Sequence, residues 1–193
     1  MGNALSVLAL LMASAACGLA VAVALRVKKI LDPLTEEGSL GPRRGGAPSV
    51  GTTVPVPSSM VDTDGNEVSF PAVGSGPWIL AFQMVGCSGC QQQMPEYKKF
   101  LSGVPLGRER TFSLVVGETD GVAYYRDELD ALSHVIPVDA QESVRDLMKE
   151  LGVSVFPTYL VVDEHGAIRT STQSSTRLAQ SDGASLSPAS TVG

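Results

Sequence analysis

Two cysteines three positions apart, Cys87 and Cys90, join a run of five apolar residues, Trp78-Ile79-Leu80-Ala81-Phe82, to a segment of helical periodicity. That junction constrains the fold more than any other feature of the chain. A continuous apolar run of this length reads as a strand buried on both faces. From Ser88 to Leu101 the residues Met94, Tyr97 and Leu101 share one helical face while Lys98 and Lys99 point away from it, and Pro95 is expected to kink the helix. The cysteines therefore open a helix. A helix N-terminus presents free amide groups that favour negative charge, and the thiolate is the form of cysteine that attacks disulfides. With two residues between them the sulfurs can meet across the first turn, so Cys90 can resolve a mixed disulfide formed by Cys87.

The same alternation continues along the chain. Thr111 to Val116 reads as a second buried strand, Val122, Tyr125, Leu129 and Leu132 recur at helical spacing, and His134 to Val138 reads as a third strand. Asp139 with Glu142 is a candidate capping pair for a helix that buries Val144, Leu147, Met148 and Leu151. Thr158 to Val162 and Ala167 to Thr170 read as a hairpin around Glu164-His165-Gly166, and a shorter hairpin is expected between Ser59 and Phe70 around Asp64-Gly65-Asn66. Strands alternating with helices predict an α/β domain whose central sheet has parallel pairs, with the last hairpin adding antiparallel strands at one side.

Of the 193 residues, 44% are hydrophobic, enough for one ordinary domain once an anchor and tails are set aside. A net charge of −6 with scattered Lys and Arg argues against nucleic acid as a partner. From Ala4 to Leu25 the chain is uncharged, a run that as a helix would span about 33 Å and cross a lipid bilayer. No Lys or Arg precedes Arg26, which favours a retained anchor over a cleaved secretory signal. The expected organisation is an anchor over 1–31, a flexible Gly/Pro/Ser/Thr-rich tether over 32–53, a domain over 54–170 and a disordered polar tail over 171–193. Zinc would need a second ligand pair, and Cys17, His134 and His165 are scattered, so neither a metal nor a cofactor is expected; both histidines read as strand-edge or turn residues.

Several separated motifs together resemble the thioredoxin superfamily, and within it the membrane-tethered TlpA/ResA-like and MauD-like proteins. They are Trp78 to Phe82, Cys87-Ser88-Gly89-Cys90, Met94-Pro95-Glu96, Gly152-Val153-Ser154-Val155-Phe156-Pro157-Thr158, and the hairpin from Tyr159 to Ile168. The resemblance implies a thiol-disulfide oxidoreductase with Cys87 and Cys90 as the catalytic pair. It also implies a supporting role for Ser88, Gly89, Phe156 and Thr158, and a cis-proline at Pro157 beside the cysteines. Its clients would be thiols and disulfides of exported proteins, with electrons passed to or from a membrane-embedded partner. The domain would then face outward from a single-pass cell-membrane anchor, whereas Arg26, Lys28 and Lys29 taken alone would leave it in the cytoplasm. An alternative is an assembly factor or metal chaperone of the same fold that binds clients without turnover.

The sequence departs from the family at four places. Ala81 stands where thioredoxins keep a buried aspartate, Gln93 where ResA-like proteins often keep a glutamate, and Gly86 where many relatives place a large side chain. Proton handling at Cys90 is thus left to water or Glu96. The usual closing helix is expected to be missing, because Arg177-Leu178-Ala179 offers little apolar surface.

Overall fold

A computed structural model describes residues 46–182 and Leu186. The apolar run at 4–25, residues 32–45 of the expected tether and the end of the tail lie outside the described residues. Among the described residues no helix is long and apolar enough to cross a membrane.

A small hairpin, β1 (Met60–Val61) and β2 (Glu67–Val68), precedes β3 (Trp78–Met84) and helix α1 (Ser88–Gly103). Then follow β4 (Thr111–Val116), α2 (Thr119–Leu129), β5 (His134–Pro137), α3 (Glu142–Glu150), the hairpin β6 (Thr158–Val162) and β7 (Ile168–Thr172), and α4 (Ser175–Asp182). Five strands form one sheet in the order β5-β4-β3-β6-β7. β3 runs parallel to β4 and β4 to β5, whereas β6 is antiparallel to both β3 and β7.

β3 sits in the middle because its side chains are apolar on both faces. Leu80 and Phe82 join Phe112, Leu114, Ile136, Leu160 and Val162 against α3, and Ile79 and Ala81 join Val115, Tyr159 and Val161 against α1 and α2. Fully burying a Leu, Val or Phe side chain contributes about 1.5–3 kcal/mol, so this double-sided strand is the chief hydrophobic support of the cysteine turn that follows it. α1 continues unbroken through Pro95, which lies on its exposed side.

Three expectations change. Residues 46–53 are docked, not free: Gly51 donates to the Ile168 carbonyl (2.7 Å), Ile168 to Thr52 (2.9 Å) and Ser154 to Gly46 (3.1 Å). The open edge of β7 offers backbone partners that this stretch takes up, so the ordered domain begins before residue 54. The polar tail is ordered to Asp182, with β7 reaching Thr172 and α4 present as a closing helix. α4 buries Leu178 and Ser175, and its start is held by Gln93 of α1, whose Oε1 accepts the Ser175 N–H (2.7 Å) and whose Nε2 donates to the Gln173 carbonyl (2.9 Å). The Asp139–Glu142 capping pair does not form: Gln141 is the N-cap of α3, and Asp139 Oδ2 accepts the Gly117 N–H (2.8 Å).

The β1–β2 hairpin is pinned by a buried carboxylate. Asp62 Oδ1 accepts the backbone N–H of Asp64 (3.0 Å) and Asn66 (2.9 Å), and Oδ2 lies 3.0 Å from His134 Nδ1 and 3.6 Å from Arg108. Burial alone would raise the Asp62 pKa, but the hydrogen bonds from Asn66, His134 and Asp64 outweigh it and hold the carboxyl below its usual value of 3.8. A depressed folded pKa gives stability that is present above the unfolded pKa and lost as pH falls through the folded one. Asp62→Ala is expected to cost about 2–3 kcal/mol at pH 7. In urea unfolding followed from pH 7 to pH 2, the wild type should lose more stability below about pH 4 than the variant does. Equal acid limbs would show that Asp62 carries none of it.

Candidate active site

Where β3 ends, Met84-Val85-Gly86 turns the chain into α1 and sets Cys87 at the helix N-cap. Gly86 takes a left-handed conformation (φ +75°), in which an L residue is strained. The Cys87 sulfur accepts the Cys90 N–H at 3.2 Å, an amide aimed at the place where thiolate charge would sit. Cys87 is half-buried, Cys90 is fully buried, and their sulfurs are 2.6 Å apart as free thiols. A disulfide needs about 2.05 Å, so closure requires a shift of well under an ångström.

The loop before β6 forms the opposite wall. Cys87 Sγ lies 3.7 Å from the Phe156 carbonyl oxygen, the Phe156–Pro157 peptide is cis, and Thr158 Oγ1 donates to the Val155 carbonyl (2.8 Å), tying the loop to the strand. A Cβ on Gly89 would come within 3.8 Å of Pro157 Cδ and 3.9 Å of Cys87 Sγ, which places the first turn of α1 beside both. Cys87, Cys90, Gly89, Phe156, Pro157 and Thr158 are thus gathered at one place, while Ser88 is exposed on the outer side of the first turn. His134 is engaged with Asp62 at the level of Phe112, and His165 is exposed in the β6–β7 turn; neither is part of this arrangement.

Burial, followed by the hydrogen bond and charge of Cys87, pushes the Cys90 thiol up to about 12. Glu96 is half-exposed and lies 3.9 Å from Lys99. Ala81 lies opposite Tyr159 in the β3–β6 ladder, and the Tyr159 ring packs on Tyr97 at 4.8 Å.

Other supporting residues carry little signal in the sequence. α2 grips the cysteine turn with two residues one helical turn apart. The Tyr125 hydroxyl donates to the Met84 carbonyl (2.7 Å), which also accepts the Cys87 N–H (3.2 Å). Gly121 leaves space for Val85, since a Cβ there would fall 2.1 Å from Val85 Cγ1. Gln83, two residues beyond Ala81 on the same face of β3, is fully buried with neither amide atom partnered. Continuing the β3–β6 register by one step sets it opposite Pro157, where the ladder ends for want of a proline N–H.

No protein-family model and no curated protein sequence matches the chain. Solved structures do match its fold. The thioredoxin domain of a thiol-disulfide oxidoreductase from Bacteroides vulgatus superposes with a TM-score of 0.58 at 18% identity, covering 72% of this chain and 98% of that one. A thioredoxin-family thiol:disulfide interchange protein from Chlorobium tepidum gives 0.54 at 19% identity over 76% and 99%. StoA from Bacillus subtilis gives 0.50 at 20% over 67% and 98%. Identities this low establish the thioredoxin-like fold, and the cysteine geometry must carry the functional argument.

Proposed function

We propose that this chain is a membrane-tethered thiol-disulfide oxidoreductase of the TlpA/ResA-like or MauD-like kind, exchanging electrons with cysteines of exported proteins. The observation that carries this reading is a half-exposed sulfur and a buried sulfur 2.6 Å apart at a helix start, facing the Phe156 carbonyl across the site. In the reducing direction the Cys87 thiolate attacks a client disulfide, its sulfur bonds to one client sulfur, and the other client sulfur leaves as a thiolate. Cys90 then attacks Cys87, the enzyme disulfide forms, and the second client sulfur departs. Two electrons pass from the enzyme to the client; the oxidising direction is the reverse. Residues 4–25 hold the domain at the outer face of the cell membrane, where a membrane-embedded dithiol partner resets the pair. Maturation of a redox or cofactor-bearing exported protein is the process such a pair serves.

The test is a redox titration of the intact, detergent-solubilised chain against glutathione, with Cys87 and Cys90 read by alkylation and mass spectrometry. A single reversible two-electron transition confined to these two sulfurs is expected; a low midpoint marks a reductase and a high one an oxidase. Thiols that stay reduced across the whole range would rule out redox turnover and leave a client-binding module.

A further inference from the structure

The resolving sulfur has a burial problem that the cysteine pair alone does not solve. Cys90 is fully enclosed, and to attack the mixed disulfide it must become a thiolate in that enclosure. Ala81 and Gln93 cannot take or give charge, and the half-exposed Glu96 lies 3.9 Å from Lys99. The polar group that α2 brings to the place is the Tyr125 hydroxyl, on a side chain that is itself 1% exposed and lies in the same cluster as Cys90.

We propose that Tyr125 is a positioning residue for the resolving step, its hydroxyl held on the Met84 carbonyl in the resting dithiol and turning to the Cys90 sulfur as that sulfur ionises. The inference rests on the redox reading above. Its geometry is specific: one carbonyl, Met84, accepts both the Tyr125 O–H and the Cys87 N–H. When the phenol leaves, Met84 keeps a donor, so the change costs no orphaned acceptor.

The electrostatics point the same way. The titratable groups bearing on Cys90 and Tyr125 are Cys87 on the turn, Tyr124 on α2, Tyr159 on β6 and, behind Tyr159, Tyr97 on α1. Burial, then the charges of Cys90 and Cys87, push the Tyr125 phenol well above its ordinary value, so it donates a hydrogen bond and does not give up its proton. Once Cys87 is locked in a mixed disulfide it carries no charge, and the opposition to a Cys90 thiolate reduces to burial. A hydrogen bond from the Tyr125 hydroxyl to the Cys90 sulfur would work against that burial. In the step itself the Cys90 sulfur bonds to Cys87 as the Cys87–client bond breaks. The proton released by Cys90 ends on the departing client sulfur, so the step is neutral overall.

The experiment uses the full chain and a disulfide-containing peptide, with attack and resolution followed separately by quenched-flow mass spectrometry across pH. For Tyr125→Phe, resolution is expected to slow about tenfold at neutral pH, because the pH at which its rate levels off moves up by about one unit. Attack, measured in a Cys90→Ser background, should change by less than about threefold. The Cys90 Cβ chemical shift, titrated by NMR in a Cys87→Ser background, should show the same upward displacement when Tyr125→Phe is added. A lower plateau with an unmoved break, or an unchanged Cys90 titration, overturns the proposal and leaves Tyr125 a packing residue. If the wild type itself forms no mixed disulfide with the peptide, the redox reading fails before Tyr125 is at issue.

Discussion

Replacing Cys90 with serine is expected to stop turnover while leaving client capture intact. The half-exposed Cys87 sulfur keeps its place at the helix start, its Cys90 N–H donor being a backbone group that the substitution leaves alone. It still attacks, but the mixed disulfide has no second sulfur to displace it and accumulates. Turnover should fall by about a thousandfold or more, the scale on which enzymes respond to loss of a nucleophile. Cys87→Ser should reduce turnover as far with no adduct, because the buried Cys90 cannot reach a client. Non-reducing electrophoresis with a disulfide peptide separates the outcomes: a stable adduct for Cys90→Ser and none for Cys87→Ser. A Cys90→Ser chain that still sustains the protein's role would point instead to the assembly-factor reading, in which holding a client is enough.

What was legible in the sequence is what local periodicity encodes. β3, α1, β4, α2 and the β6–β7 hairpin were readable because each has its own stripe of apolar side chains, and the cysteine turn was placed by the strand before it and the helix after it. What was not legible depends on contacts between distant segments. Residues 46–53 dock through backbone hydrogen bonds, which leave no mark in side-chain pattern, and a Gly- and Pro-rich stretch reads as a tether whether or not an edge is waiting for it. α4 shows one buried leucine and takes its cap from Gln93, more than 80 positions earlier. Tyr125 reads as one more apolar residue on a helix, because periodicity counts the ring and ignores the hydroxyl. Gln83 is a polar residue in a buried run, and only the sheet register shows that it stands opposite Pro157.

The glycine notch on α2 is the sharpest case of a tertiary constraint, and it carries the second large effect. A methyl group at Gly121 would lie 2.1 Å from Val85 Cγ1, and one at Gly117 would lie 2.5 Å from Val85 Cβ. Val85 cannot step back easily: its N–H is bonded to the Val116 carbonyl (2.8 Å), and β-branching restricts its rotamers. Helix propensity alone would make Gly121→Ala stabilising by about 1 kcal/mol, but overpacking of this kind costs about 1–3 kcal/mol, and at 2.1 Å the upper end applies. The displaced Val85 carries Gly86 and Cys87 with it, and a misplacement near 1 Å at a reacting atom can lower the rate about a hundredfold. Gly121→Ala should therefore lose both stability in urea and Cys87 reactivity toward a disulfide peptide. Adding Val85→Ala should return much of both, since the second change removes the branch that collides. Strict additivity of the two substitutions would mean that the notch does not position the turn, whereas strong coupling would show that this helix sets where Cys87 sits.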